Sequence, residues 1–147
     1  MKIMHIYAHS DLDVLPVLKK AHEQGLLKES IGLTTTIQHA KKVKEVIEWL
    51  ELQGLQVKNY GNILGCMNPK VKEIPEKTLL YLGDGKFHPK GLLLRQDQDV
   101  VVANPATEEV YVMKPEEVEA IKKRLKGALA TFYNSDHVGV LLSVKSG

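Results

Sequence analysis

Thr78-Leu79-Leu80-Tyr81-Leu82 is followed at once by Gly83-Asp84-Gly85-Lys86-Phe87-His88-Pro89. Five residues without polar alternation predict a strand buried on both faces, and such a strand sits at the centre of a parallel sheet covered by helices. Working outward, further strands are predicted over Ser30–Thr35, 55–60, 99–103 and 110–113, with strand-like runs at 3–8 and 137–144. Between them lie helical patterns. Asp11 or Asp13 is placed to cap a helix through Leu26, carrying Leu15 and Leu18, with Pro16 in its first turn and Gly25 as its stop. Val43, Val46, Ile47 and Leu50 recur at helical spacing up to Gly54. A short helical piece is expected over 91–95. Pro115, Glu116 and Glu117 open a last helix whose apolar face is Val118, Ile121, Leu125, Ala128, Leu129 and Phe132.

Alternating strands and helices give an α/β fold class: a three-layer domain with a mainly parallel sheet of four to five strands and flanking helices. With 147 residues, the chain is read as a single α/β domain over 1–147. Twenty basic and 18 acidic residues leave a net charge of +2, so charge argues for no direct nucleic-acid or membrane partner. No run of 18 apolar residues predicts a membrane span. One cysteine excludes an internal disulfide framework and fits a reducing compartment, so a cytoplasmic protein is expected.

Ligands of such sheets bind beyond the carboxyl ends of the strands. Residues 34–39, 83–89 and 104–107 fall at such ends, and Gly61-Asn62-Ile63-Leu64-Gly65-Cys66 follows another strand. Gly83 and Gly85 expose backbone N–H groups suited to an anion or a ligand carboxylate. Lys86 adds a cation and His88 a donor or proton relay; a tight turn explains the same residues. Gln38 and His39 stand at a helix start, where capping is the alternative to ligand contact. Cys66 reads either as a small buried hydrophobe or as a reactive thiolate or metal ligand. The other histidines lack metal-ligand spacing, and no Ser/His/Asp arrangement is supported.

In order, Thr35-Thr36-Ile37-Gln38-His39, Leu64-Gly65-Cys66, Leu82 to Pro89 and Val101-Val102-Ala103-Asn104-Pro105 resemble the diphthamide synthase family, 2-(3-amino-3-carboxypropyl)histidine synthase. The resemblance covers nearly the whole chain and matches the middle of that family's three related α/β domains. It implies a radical S-adenosylmethionine-dependent transferase acting on a histidine of translation elongation factor 2. It further implies a [4Fe–4S] cluster held by one cysteine from each domain, with Cys66 as the middle-domain ligand. Gln38, His39, Gly83, Gly85, Lys86 and His88 would then line the S-adenosylmethionine or substrate side, and none is assigned a catalytic role. The implied partners are other cysteine-bearing domains or chains and elongation factor 2, the isolated chain being inactive. The alternative is a non-catalytic ligand-binding or structural subunit derived from the family. Two departures stand out: Asp84 and Lys86 occupy positions where the family usually has serine and arginine.

Overall fold

The computed structural model describes residues 4, 6, 8–63 and 74–142. The elements run α1 (Leu15–Glu23), β1 (Ser30–Thr35), α2 (Val43–Leu52), β2 (Gln56–Asn62), β3 (Thr78–Leu82), α3 (Phe87–Leu93), β4 (Val100–Asn104), β5 (Glu109–Met113) and α4 (Glu119–Tyr133). A 3-10 segment, Ile37–Lys42, leads into α2, and another, Pro115–Val118, leads into α4. The sheet order is β2-β1-β3-β4-β5. The first four strands are parallel, and β5 returns antiparallel to β4. This is the expected mainly parallel α/β architecture.

β3 lies in the middle because every one of its residues is buried. Leu80 and Leu82 pack in one core with Val17 and Leu18 of α1, Ile31 and Leu33 of β1, and Val46 and Leu50 of α2. Leu79 and Tyr81 pack in a second core on the opposite face with Leu92 and Leu93 of α3. Each such side chain withdrawn from water contributes about 1.5–3 kcal/mol, which favours a strand covered on both sides. Gly32 in β1 is needed for a close approach. A Cβ there would lie 2.5 Å from Cγ2 of Ile74, which covers the strand.

Asp13 anchors α1 as expected: its Oδ1 accepts from Leu15 N at 2.9 Å. The helix stops at Glu23, short of Leu26, with the Gln24 N–H turned back on Lys20 O. β1 and β2 keep register from Ser30–Gln56 to Leu33–Asn59, then shift, so that Thr34 faces Gly61 and Tyr60 is left as the extra residue of a bulge. The helix expected over 91–95 instead begins at Phe87, because Pro89 falls within its first turn, where a missing N–H costs nothing.

Two strand expectations fail. Met4, Ile6 and Ala8, the described residues of the first apolar run, belong to no strand, and Met4 and Ile6 are exposed. Residues 137–142 also form no strand and are exposed. A strand forms only where a neighbour supplies its hydrogen bonds, and among the described residues the sheet ends at β2 and β5. The expected apolar face of the last helix also fails to reach the core as a whole. Val118 is buried and Ile121 half-buried, but Leu125, Leu129 and Phe132 are each more than half exposed.

Candidate functional site

The carboxyl ends of β1, β2 and β3 are tied together by short-range geometry. Thr35 Oγ1 donates to Leu82 O at 2.8 Å, joining β1 to β3. Ile63 N donates to Thr35 O at 2.7 Å, drawing the chain beyond β2 against β1. Gly83 N donates to Ala103 O at 3.0 Å and extends the β3–β4 pairing by one bond. Thr36 stays extended and His39 N donates back to its carbonyl at 3.1 Å, which starts the 3-10 turn and swings Gln38 outward. Ser10 N donates to Gln38 O at 2.9 Å and holds the N-terminal segment over this edge.

These ties surround a cavity of about 390 Å³. Thr36, Ile37 and Gln38 form one wall, and Asp84 and His88 form another. Ile63 and the N-terminal Ile6 and Ala8 complete it. The volume falls in the range of small-molecule sites, about 300–1,000 Å³, and combines apolar walls with a few polar groups as such sites do. Asp84 is the one carboxylate on the described lining. Its charge acts against the burial that lowers the pKa of His39.

Of the residues singled out from sequence, Gln38 and His88 line this cavity. Gly83 is buried beside it, at the end of β3. His39 is 4% exposed, and among the described residues neither its Nδ1 nor that of His88 has a hydrogen-bond partner. Gly85 is exposed, and its carbonyl accepts from the Tyr111 hydroxyl at 3.5 Å. Lys86 turns the other way. Its Nζ lies 5.6 Å from the centroid of the Tyr111 ring, and it lines a separate cavity of about 570 Å³ along β5 with Lys20, Glu109 and Glu117. Cys66 lies outside the described residues. Among the described residues no three His, Cys, Asp or Glu side chains gather as a metal site, and no helix is long and apolar enough to cross a membrane.

The sequence did not single out Thr36 or Ile63 as site residues. Thr36 belongs to the quoted Thr-Ile-Gln-His run and Ile63 stands three residues before Cys66, so both carried a signal. Ile6 and Ala8 carried none, because their alternation reads as a strand.

Gly83 fixes the shape of this edge. A Cβ at that position would fall 2.6 Å from the Tyr81 hydroxyl oxygen and 2.8 Å from Cζ. That hydroxyl donates to Asp84 O at 3.1 Å and holds the turn carrying Asp84. Gly83→Ala is therefore expected to lower stability by about 1–3 kcal/mol through overpacking. The loss should be smaller in a Tyr81→Phe background, which removes the nearer clash. Urea unfolding of the four variants in a double-mutant cycle measures the coupling.

His39 makes stability depend on pH. Its native pKa lies below 6.5, first because of burial, so the unfolded chain binds the proton more readily. Stability is full above pH 6.5 and falls as pH drops from there to the lowered native value. His39→Gln should flatten that slope. Asp84→Asn should steepen it, because Asp84 holds the native pKa up. Urea midpoints taken between about pH 5 and 7.5 check both signs.

The fold and the edge cavity define the class: a mainly parallel α/β domain with a cavity where its strands end. Residues 1–147 match the family model described as "Putative diphthamide synthesis protein". The 2-(3-amino-3-carboxypropyl)histidine synthase of Pyrococcus horikoshii is 30% identical over 97% of this chain and 47% of its own length. The synthase of Methanocaldococcus jannaschii is 31% identical over 86% of this chain and 33% of its own. A solved structure of Dph2 from Pyrococcus horikoshii with a 4Fe-4S cluster superposes with a TM-score of 0.69 at 30% identity, over 80% of this chain and 37% of that one. The chain belongs to the diphthamide synthesis family. It spans half or less of the length of these relatives.

Proposed function

We propose that this chain is one component of a radical S-adenosylmethionine-dependent transferase of diphthamide biosynthesis. In this reading Cys66 gives one thiolate to a [4Fe–4S] cluster, and other domains or chains give the rest. The group transferred is 3-amino-3-carboxypropyl, and its acceptor is a histidine of translation elongation factor 2. The observation that carries the reading is the cavity at the strand ends, which reaches Ile63, three residues before Cys66. Family membership and a neighbour solved with a 4Fe-4S cluster support it.

The donor set fits one corner of a cluster. A [4Fe–4S] centre takes several thiolates, and the chain has one cysteine. Such a cluster, held in part by Cys66, would supply the electron that cleaves S-adenosylmethionine. The residues on the page bind and orient. Asp84 favours a ligand's positive centre, such as a sulfonium or amino group, and Lys86 is turned away to Tyr111. Ile37 and Ile63 give the cavity apolar surface, and Gln38 and His88 offer hydrogen bonds.

Anaerobic reconstitution with iron and sulfide tests the reading. The chain alone should hold no cluster, and a mixture with a polypeptide carrying the remaining cysteines should hold one. A mixture that binds no iron defeats the reading. The divergent pair Asp84 and Lys86 favours, as a second reading, a ligand-binding module without cluster chemistry. Heat on titrating S-adenosylmethionine into the isolated chain, with no iron bound by any mixture, would select it.

A further inference from the structure

The sheet has two outer strands, β2 and β5, and they are finished differently. An outer strand presents unpaired N–H and C=O groups, and proteins blunt such an edge with charged side chains and bulges. β2 carries both devices. Gln56, Lys58 and Asn59 are exposed along it, and the bulge at Tyr60 breaks its register. β5 has a charge only at its first residue, Glu109, and then reads Val110-Tyr111-Val112-Met113. It keeps register with β4 from Asn104–Glu109 to Val100–Met113 without a break. Val110 and Val112 pack against the first core, and Tyr111 and Met113 against the second, so the strand is held from both faces. Among the described residues nothing pairs with its outer side. The cavity of about 570 Å³ runs along that side as a groove. Lys20 and Gln24 of α1 bound it on the first-core face, and Lys86 and Glu117 on the other.

We propose that the outer edge of β5 is the interface for a second copy of this chain. The two β5 strands pair antiparallel about a two-fold axis at Tyr111 and join two five-stranded sheets into one. Charge names the occupant. In the groove Lys20 and Lys86 are balanced by Glu109 and Glu117, so it selects neither an acidic nor a basic strand. It is self-complementary instead, as a two-fold interface has to be. With Tyr111 on the axis, Val110 lies beside the partner's Val112 and Glu109 beside the partner's Met113. Glu108, just before the strand, then faces the partner's Lys114, just after it. The two-fold makes each of these pairs twice. A parallel alignment would set Glu108 and Glu109 beside their own copies, and like charges so placed repel. Antiparallel pairing about any other residue separates Glu108 from Lys114 and leaves part of β5 unpaired. Because the strands of the two copies run oppositely, the cavities at their carboxyl ends open at opposite ends of the joint sheet. The interface is therefore independent of the cluster reading.

Sedimentation velocity over a concentration series reads association of the chain with itself, and hydrogen exchange reads the backbone amides of 109–113. The expected result is a dimer whose formation slows exchange in β5 and leaves β2 as it was. Lys114→Glu alone and Glu108→Lys alone each set like charges opposite one another twice per dimer, and each should weaken it about tenfold. Both side chains are exposed, so each variant should keep the parent's urea midpoint. Mixing the two single variants should restore a dimer of the parent's strength, because every glutamate then faces a lysine. Lys123→Glu, at an exposed lysine on α4, should leave association unchanged. A chain that stays monomeric at every concentration overturns the proposal, as does a dimer without slowed exchange in β5. A dimer that neither charge variant weakens, or that mixing does not restore, overturns it as well.

Discussion

Cys66→Ala is expected to bring the iron content of the reconstituted mixture down to that of the chain alone. A thiolate that closes one corner of a cluster has no substitute here, because the chain contains no second cysteine. Cys66→Ser should fail nearly as completely, since a hydroxyl is a poor exchange for a soft thiolate ligand. The measurement is iron and sulfide per complex, with the visible absorption of the cluster as a second readout. Sedimentation of the same samples guards against a trivial cause: the variant should still associate with the polypeptide carrying the remaining cysteines. A variant that retained a full cluster would remove Cys66 from the ligand set.

Leu80→Ala is expected to cost about 2–5 kcal/mol, the usual loss for a leucine emptied from a packed core. Leu80 is fully buried between α1, α2 and its neighbours on the sheet. Leu129→Ala should stay within about 0.5 kcal/mol for the isolated chain, as surface changes do. Urea unfolding gives both values, and a shift in midpoint without a change in slope shows that stability alone has changed. The two leucines look alike in sequence, each on a predicted apolar face. Their expected costs differ because Leu80 is fully buried and Leu129 is more than half exposed. An equal loss at both positions would mean that the stripe on α4 is already packed.

That pair also marks what could be read from sequence. Thr78–Leu82 announced its own place, because a run with no polar residue inside it has only one comfortable position in a sheet. The strands beside it followed, as did the helix anchored by Asp13. The start of α3 at Phe87 was hidden, since Pro89 reads equally as a helix stop or a first-turn residue. The pattern of α4 was legible but its exposure was not: helical periodicity says which face is apolar, never whether it is covered. Gln38 and His88 were legible as neighbours across the strand ends. The orientation of Lys86 was not, because it is set by Tyr111, 25 residues further along on β5, which returns antiparallel to β4.

The bulge at Tyr60 has a consequence for what lies downstream. Side chains alternate along a strand, so a single extra residue reverses the parity of all that follows it. With the bulge, Tyr60 is buried in the second core, its hydroxyl donates to Glu76 at 2.7 Å, and Ile63 arrives on the cavity side. Without it, the chain beyond β2 would run in opposite phase and turn Ile63 away. The placement of Ile63 on the cavity side thus depends on a count as well as on composition: a one-residue deletion between Asn59 and Asn62 would turn Ile63 to the opposite face, and Gly61, at a φ of 82°, resists any side chain at the bulge itself.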